Sequence, residues 1–166
     1  VEPSLVGFDK KMHRESRDSQ HGWIQYQSHP ALTRIANMME KITNIPKQNF
    51  ESFQIVSYGP NQYYKYHTDS CNPESADYLP CIESDKRSGS RIYTLIIYLN
   101  DTYTGGKTHF KKINTAVKLP PGNAVLFKNT LVNGHTNPLS LHAGTPIISG
   151  KKWIINLWIR TKPMRG

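Results

Sequence analysis

The hydrophobic residues of this chain form one helical stripe and a succession of short runs. The stripe lies between Pro30 and Ile42, where Leu32, Ile35, Met39 and Ile42 recur at the spacing of one helix face. Pro30 suits a first helical position, because its ring fixes a helical backbone angle and the N–H that it lacks would be unpaired there. The pattern predicts a helix over Pro30–Ile42 that packs against a sheet.

The rest of the chain alternates short runs of β-branched and aromatic residues with turn residues. Gly105-Gly106, Pro120-Pro121-Gly122 and Asn133-Gly134 provide turns. Many short strands with such turns predict a β-sandwich or barrel. The predicted strands are Phe53–Tyr58, Tyr63–Asp69, Arg91–Asn100, Lys107–Lys111, Ala116–Leu119, Ala124–Phe127, His135–Asn137 and Trp153–Thr161.

The last predicted strand has two chemically different faces, because every second residue of a strand points to the same side. One face is apolar and suits a core; it consists of Trp153, Ile155, Leu157 and Ile159. The other face mixes cations, an amide and an indole, and consists of Lys152, Ile154, Asn156, Trp158 and Arg160. This mixture indicates a polar pocket, with a wet edge strand as the alternative.

The segment from Ser70 to Ser90 is polar and contains two prolines and both cysteines of the chain, Cys71 and Cys81. We predict a loop that covers a substrate, mobile until the substrate binds, with a passive insertion as the alternative. The cysteines leave both a disulfide and free thiols open.

Composition places the chain among globular proteins. Its 166 residues suffice for one domain with a sizeable core, and we expect 1–166 to be a single domain, trimmed at its N-terminus because it begins at Val1. Apolar residues make up 37%, and the sequence shows no membrane span and no visible targeting signal, so we expect a soluble protein, with the compartment left open between the endoplasmic reticulum lumen and the cytoplasm. The net charge of +9 is scattered from Lys10 to Arg165, which indicates a solvated basic surface, with nucleic acid as a less favoured partner.

His67 and Asp69 lie two residues apart in a predicted strand, so both point to one side. With His142 they provide two imidazoles and one carboxylate, the facial triad that holds non-haem Fe(II) and leaves open coordination positions. A lone His-x-Asp is a weak signal, and a surface or capping pair is the alternative. The surrounding motifs decide between the two.

Six motifs in order resemble the prolyl 4-hydroxylase branch of the Fe(II)/2-oxoglutarate-dependent dioxygenases, from about Arg14 to Arg160. They are Tyr58-Gly59-Pro60, His67-Thr68-Asp69, Arg91–Asn100, Gly105–Phe110, Pro121–Phe127 and His142–Trp153. The resemblance implies a mainly β fold, a double-stranded β-helix (jelly roll) with one or more supporting N-terminal helices. It makes 1–166 a catalytic domain.

The resemblance also implies an activity. It is the hydroxylation of peptidyl proline in a proline-rich or collagen-like peptide, with Fe(II), 2-oxoglutarate, O2 and L-ascorbate, and with succinate and CO2 as co-products. One alternative keeps the cofactors and acts on lysyl or other protein side chains, or on nucleic acid. Another is a catalytically silent binding module. The oligomeric state stays open.

By the same resemblance, His67, Asp69 and His142 are the iron ligands. Lys152 is the cation for the distal carboxylate of 2-oxoglutarate, whereas Lys151 faces solvent. The candidate hydroxyl donors to that cofactor are Tyr58, Thr94 and Tyr98. We expect structural roles for His109 and His135.

Tyr64 and Trp158 match positions that line a proline pocket, where aromatic rings can hold a pyrrolidine ring by apolar contact. Arg160 departs from the pattern, since the branch commonly has histidine there. We expect Arg160 to contact the peptide backbone or an acidic side chain of the substrate.

Overall fold

A computed structural model describes residues 2–3 and 19–164 of the chain. The start of the family resemblance at Arg14 lies outside the described residues, as do several of the basic residues, namely Lys10, Lys11, Arg17 and Arg165. No helix within the described ranges combines the length and the apolar character that crossing a membrane requires.

The described residues form two helices, short 3-10 turns and a set of antiparallel strands. The helices are α1 (Pro30–Thr43) and α2 (Tyr78–Ser88). The strands are β1 (Glu2–Pro3), β2 (Gln20–Ile24), β3 (Phe53–Tyr58), β4 (Tyr64–His67), β5 (Arg91–Tyr98), β6 (Tyr103–Gly105), β7 (Thr108–Phe110), β8 (Thr115–Val117), β9 (Ala124–Lys128), β10 (His142–Gly144), β11 (Ile147–Gly150) and β12 (Lys152–Arg160).

The strands build a large and a small sheet. The large sheet has the order β1-β2-β3-β12-β5-β9, the small one has the order β4-β10-β7-β8, and β11 pairs with β6. These antiparallel sheets, with helix α1 between β2 and β3 near the N-terminus, confirm the predicted jelly roll.

Helix α1 covers one face of the large sheet. The His29 imidazole caps its first turn by accepting a hydrogen bond from the Ala31 amide, 3.2 Å away. Buried Leu32, Ala36 and Met39 form its inner stripe, because positions four and three apart share a helix face. Ile42 was predicted in that stripe but is 59% exposed, since it lies at the edge of the stripe in the last turn.

Strand β12 separates the two faces of the large sheet as its sequence predicts. Ile155, Leu157 and Ile159 pack in the core with α1. Trp153 lies outside that cluster and is only partly buried, with the Lys151 ammonium 4.8 Å from its ring centre. The alternate residues Lys152, Ile154, Asn156 and Trp158 face a cavity between the sheets.

Several short elements differ from prediction. The segment His135–Asn137 is no strand, because Asn133-Gly134 forms a turn and the Asn137 side chain accepts a hydrogen bond from the Leu139 amide, which starts a 3-10 turn. Strands β1, β2, β6, β10 and β11 were not predicted. Four of these five have only two to four residues, too few to show a period.

The segment Ser70–Ser90, predicted as a loop, contains helix α2, and a disulfide joins Cys71 to Cys81 within it. Pro80 lies in the first turn of α2, where proline is tolerated. The remaining α2 sequence is too polar to show a strong apolar stripe, which is why it resembles a loop.

Candidate active site

A cavity and an open groove meet between the two sheets. The cavity has a volume of about 210 Å³ and reaches Lys152. The groove has a volume of about 650 Å³ and lies between β4 and α2. The cavity and the groove share four lining residues, Tyr64, His67, Asp69 and Arg91. Two of the three predicted metal ligands therefore stand where the two spaces join.

Strand pairing brings the predicted triad together. His67 ends β4 and His142 begins β10, and the two are direct partners across that antiparallel pair, with ring centres 4.3 Å apart. Asp69 Oδ1 lies 3.4 Å from His67 Nε2, and Asp69 Oδ2 lies 4.0 Å from His142 Nε2. Ligand atoms of the three side chains lie within 4.8 Å of one another, close enough to share one metal ion.

Backbone carbonyls orient both imidazoles. Nδ1 of His67 lies 2.8 Å from the Lys65 carbonyl oxygen, and Nδ1 of His142 lies 2.8 Å from that of Ser140. Because a carbonyl oxygen only accepts, each Nδ1 carries the hydrogen and each Nε2 keeps a free lone pair. Metal-binding histidines are commonly oriented in this way, so the donor set fits a metal ion.

The Asp69 carboxylate is held by buried hydrogen bonds. Thr94 Oγ1 donates to Asp69 Oδ2 over 2.7 Å, and Asn129 Nδ2 donates to Thr94 Oγ1 over 2.7 Å. Burial alone raises the pKa of Asp69, but His142 and His67 outweigh it and hold this pKa well below its usual range. The carboxylate is therefore ionised at neutral pH.

His142 is enclosed by aromatic rings. The ring centres of Phe127 and Phe110 lie 4.9 Å and 5.7 Å from its own. Burial, with a smaller effect of the neighbouring His67, lowers the pKa of His142 to about 4. Its imidazole is thus neutral at neutral pH, the form that can bind a metal.

Lys152 is the cation at the far end of the cavity. It is 2% exposed, and its ammonium donates one hydrogen bond to the Gly106 carbonyl oxygen over 2.7 Å. No carboxylate of the described residues forms an ion pair with it, so two of its three hydrogens are available. Burial, and then the charge of Lys118, lowers the pKa of Lys152 to about 8.

Two of the three predicted hydroxyl donors are already engaged within the protein. Thr94 donates to Asp69, and the Tyr98 hydroxyl lies 2.8 Å from Thr108 Oγ1, away from the cavity lining. Thr94 nevertheless lines the cavity, and the Tyr98 ring centre lies 5.3 Å from Lys152 Nζ, so their roles toward a cofactor stay predictions. Tyr58 does line the cavity, with its ring centre 5.9 Å from Lys152 Nζ. Its role stays a prediction.

Aromatic side chains form the opposite end of the cavity. The ring of Tyr64 stacks on that of His67 with centres 3.6 Å apart. The ring of Trp158 faces the Arg91 guanidinium at 4.1 Å and lies 6.0 Å from Trp23, which is 51% exposed at the cavity mouth. Within the described ranges, the buried Trp158 Nε1 has no hydrogen-bond partner, so it can donate to a bound group.

Arg160 is buried against protein carboxylates. It is 6% exposed, and its guanidinium donates to the carboxylates of Glu51 and Asp85 and to the Gly89 carbonyl. A guanidinium whose charge is already balanced by two protein carboxylates is poorly suited to bind an acidic substrate side chain. Arg160 also lines the groove, so its contact with the peptide stays a prediction.

Sequence reasoning missed Arg91 as a lining residue of both the cavity and the groove. Arg160 pairs with Arg91 whereas Ile159 pairs with Tyr93, so Ile92 is an extra residue in β5. Such a bulge turns the next side chain to the other face. Strict alternation along β5 cannot reveal it.

Trp23 and Asn129 were also missed, because each lies beyond the motifs.

The spare histidines lie apart from the triad, as expected. His109 Nδ1 pairs with the Tyr66 hydroxyl, and His135 is exposed in its turn. A second group of potential ligands, Cys71, Cys81 and Asp85, is not a metal site, because its two sulfur atoms are joined in the disulfide.

The fold and the site define a class: a jelly-roll protein with two histidines and one aspartate close enough to share one metal ion. The family model of the 2OG-Fe(II) oxygenase superfamily matches residues 53–160. This chain belongs to that superfamily, and the family predicted from the motifs is confirmed. The name of the superfamily includes Fe(II), 2-oxoglutarate and oxygenation. The cofactors of this chain are therefore Fe(II), 2-oxoglutarate and O2. Ascorbate is typical of the prolyl hydroxylases.

Similar proteins belong to the prolyl hydroxylase branch. A protein of Acanthamoeba polyphaga mimivirus, whose name gives it provisionally as a prolyl 4-hydroxylase, is 40% identical over 95% of this chain and 62% of its own length. Prolyl 4-hydroxylase 1 of Arabidopsis thaliana is 32% identical over 81% of this chain and 50% of its own. The chain thus spans between half and about three fifths of these relatives.

A solved structure is also similar. The viral collagen prolyl hydroxylase of Paramecium bursaria Chlorella virus-1, in complex with 2-oxoglutarate, superposes with a TM-score of 0.70 at 30% identity. The match covers 87% of this chain and 79% of that one. A Pseudomonas putida prolyl 4-hydroxylase, 19% identical with a TM-score of 0.60, shares the fold.

Proposed function

We propose that this chain hydroxylates peptidyl proline, as a prolyl 4-hydroxylase type of oxygenase whose catalytic domain is residues 1–166. The observation that carries the proposal is the position of the triad. It stands between a cavity that ends at a buried lysine and an open groove beside aromatic rings. The cavity suits a small dianion, and the groove suits an extended peptide chain.

In this proposal His67, Asp69 and His142 hold Fe(II). The two imidazoles present their Nε2 lone pairs because their Nδ1 hydrogens are donated to carbonyls. Thr94 keeps one oxygen of Asp69 in a fixed direction. Three protein ligands leave open positions on the ion.

Bound Fe(II), 2-oxoglutarate and O2 would supply the oxidation, in which one oxygen atom enters succinate as CO2 leaves and the other becomes a hydroxyl on the substrate carbon. The chain contributes the positions of the reactants. Lys152 would pair with the distal carboxylate, because its ammonium has two unengaged hydrogens and no carboxylate partner among the described residues. Tyr58 and Tyr98, whose ring centres lie 5.9 Å and 5.3 Å from Lys152 Nζ, and Thr94 are the candidate hydroxyl donors.

The peptide would lie in the groove and place one ring near the triad. Trp158 and Tyr64 offer flat apolar surfaces for a pyrrolidine ring, and Trp158 Nε1 can donate to a peptide carbonyl. A proline-rich segment is already extended, so it loses little entropy when it binds. The names of the similar proteins, which include a collagen prolyl hydroxylase, support a proline-rich or collagen-like substrate.

Mass spectrometry tests the proposal. The chain is incubated with Fe(II), 2-oxoglutarate, ascorbate and a proline-rich peptide, and we expect one added oxygen per modified proline and an equal amount of succinate. A lysine-rich peptide and a methylated oligonucleotide are the matched alternatives. Oxidation of either of these in place of the proline peptide contradicts the proposal, and so does the absence of any iron-dependent turnover of 2-oxoglutarate.

A further inference from the structure

Arg160 connects strand β12 to three other parts of the chain. Its Nε donates to Glu51 Oε1 over 2.7 Å, and its Nη1 donates to Asp85 Oδ1 over 3.1 Å and to the Gly89 carbonyl oxygen over 2.5 Å. Asp85 belongs to α2, and Gly89 directly follows it. One buried side chain therefore holds the C-terminal end of α2 against the large sheet.

Arg160 also shares a carboxylate with Arg91. The Nε and Nη2 atoms of Arg91 donate to the two oxygens of Glu51 over 2.6 Å and 2.7 Å. The two arginines are cross-strand partners, and like charges in such positions repel unless a counter-charge lies between them. Burial alone raises the pKa of Glu51, but Arg91 and Arg160 lower it below its usual value.

Helix α2 has little apolar burial to hold it in place. Ser88 is its one buried residue. No α2 side chain packs into the core beneath α1 or into the second apolar cluster, which lies around Val56 and Ile96. Leu79, in its first turn, is 74% exposed. Its position against the sheet therefore depends on polar contacts at Asp85 and Gly89 and on the disulfide from Cys81.

We propose that Arg160 is a positioning residue for the substrate. It fixes α2 as a wall of the groove and, through Glu51, keeps the Arg91 guanidinium flat against Trp158, where the groove meets the cavity. In this role Arg160 acts through α2 and Arg91 rather than through a bond of its own to the substrate. This inference rests on the proposed function, because the groove matters only when it holds a peptide.

The chemistry of the side chain accounts for arginine at this position. A guanidinium presents five N–H donors in a rigid fork and stays charged at all working pH values, so it can serve two carboxylates and a carbonyl together. Histidine has two ring nitrogens and is largely neutral near pH 7, so it cannot make all these contacts at once.

The first test compares two acidic residues of α2. Asp85→Ala removes the carboxylate that Arg160 binds, whereas Glu83→Ala removes an exposed one whose partner in the described part of the chain is Lys86 on the helix surface. We expect Asp85→Ala to raise the KM for peptide about tenfold, the loss expected for a hydrogen bond between charged groups. We expect the KM for 2-oxoglutarate and the peptide-independent decarboxylation to change by less than about twofold. Glu83→Ala should leave all three unchanged.

The second test uses Arg160→Lys, which keeps a charge but loses the fork, together with the double variant Arg160→Lys/Asp85→Ala. If both residues act through one contact, the double variant raises the KM for peptide no further than the larger single effect. Additive effects, or an unchanged KM for peptide in both single variants, overturn the proposal. Equal losses of peptide hydroxylation and peptide-independent decarboxylation also overturn it, since they indicate general support of the iron site.

Hydrogen exchange of the α2 amides provides a readout that needs no substrate. Both single variants should speed exchange in α2 while leaving α1 unchanged, and Glu83→Ala should affect neither helix. Unchanged α2 exchange overturns the positioning role even if peptide kinetics change. Failure of the unaltered chain to turn over 2-oxoglutarate is instead a failure of the proposed function, and the exchange data still decide whether Arg160 holds α2.

Discussion

His67 and His142 face each other across the antiparallel pair of β4 and β10, with their ring centres 4.3 Å apart. A shift of one residue in that pairing would turn one imidazole to the opposite face of the sheet. Asp69, just beyond the end of β4, then completes the site from the same side. The triad is therefore a consequence of strand register rather than of one local loop.

Removing either histidine should abolish iron binding. We expect no stoichiometric Fe(II) in His67→Ala or His142→Ala after anaerobic dialysis, because three protein ligands are the set that holds the ion. His135→Ala is the matched control, since this histidine is exposed and away from the triad. Circular dichroism checks that each variant is folded. Full iron content in a folded His142→Ala variant would remove that residue from the site.

The hydroxyl of Thr94 should contribute to iron affinity without binding the ion. Thr94→Val removes the donor to Asp69 Oδ2 and also leaves Asn129 Nδ2 without its acceptor. Loss of such a supporting contact typically weakens metal binding about 10- to 100-fold. Anaerobic Fe(II) titration measures the change, and Thr94→Ser should restore most of the affinity. Unchanged affinity in Thr94→Val shows that Asp69 needs no such support.

The polar faces of the strands were predictable from alternation alone. The choice of Lys152 over Lys151 followed from the phase of β12 together with the family resemblance, and the structure has Lys152 buried in the cavity and Lys151 exposed. The His-x-Asp spacing likewise placed His67 and Asp69 on one side. The position of Lys152 was predictable because a regular strand fixes side-chain direction to a period of two, whereas Asp69 lies beyond the end of β4 and reaches the site from the segment that follows.

Features that depend on irregular backbone or on remote partners could not be predicted. Arg91 reaches the cavity through the extra residue Ile92, which breaks the alternation. Thr94 and Tyr98 share a face as expected, but which acceptor each hydroxyl finds is decided by other strands that the fold brings near. Helix α2 was missed because polar contacts, rather than an apolar stripe, hold it.

Lys152 and Lys151 should differ in their effect on 2-oxoglutarate. Lys152→Met removes the one lysine that lines the cavity among the described residues. A charged hydrogen bond is worth about 1.5–3 kcal/mol, so we expect roughly a tenfold or greater rise in KM. Lys151→Met removes an exposed ammonium that lies over Trp153 and should leave the KM unchanged. Titration of 2-oxoglutarate against both variants decides, and equal effects would contradict the strand phase.

The affinity for 2-oxoglutarate should fall at alkaline pH. Burial and Lys118 lower the pKa of Lys152 from 10.5 to about 8 in the free protein. Below that pH the ammonium is charged and ready to pair with a carboxylate. Above it the amine is neutral and must take up a proton on binding, so the KM should rise up to about tenfold per pH unit.

Lys152→Arg provides the control for this titration. Its guanidinium keeps its charge throughout the alkaline range, so the KM for 2-oxoglutarate should stay level while that of the unaltered chain rises. A KM that is flat from about pH 7 to about pH 9.5 in the unaltered chain would show that Lys152 keeps its ordinary pKa. A parallel rise in both proteins would assign the effect to another group.

The disulfide between Cys71 and Cys81 should stabilise the segment that ends in α2. It joins a residue just after Asp69 to the second turn of the helix, and closing a loop of this size typically adds about 2–3 kcal/mol to the free energy of unfolding. Cys71→Ser/Cys81→Ser should lose about that amount in urea unfolding and should speed amide exchange in α2. A reductant should reproduce both changes in the unaltered chain and have no effect on the double variant. Equal stability and equal exchange in both proteins would mean that the disulfide does not constrain α2, leaving that role to the contacts of Arg160.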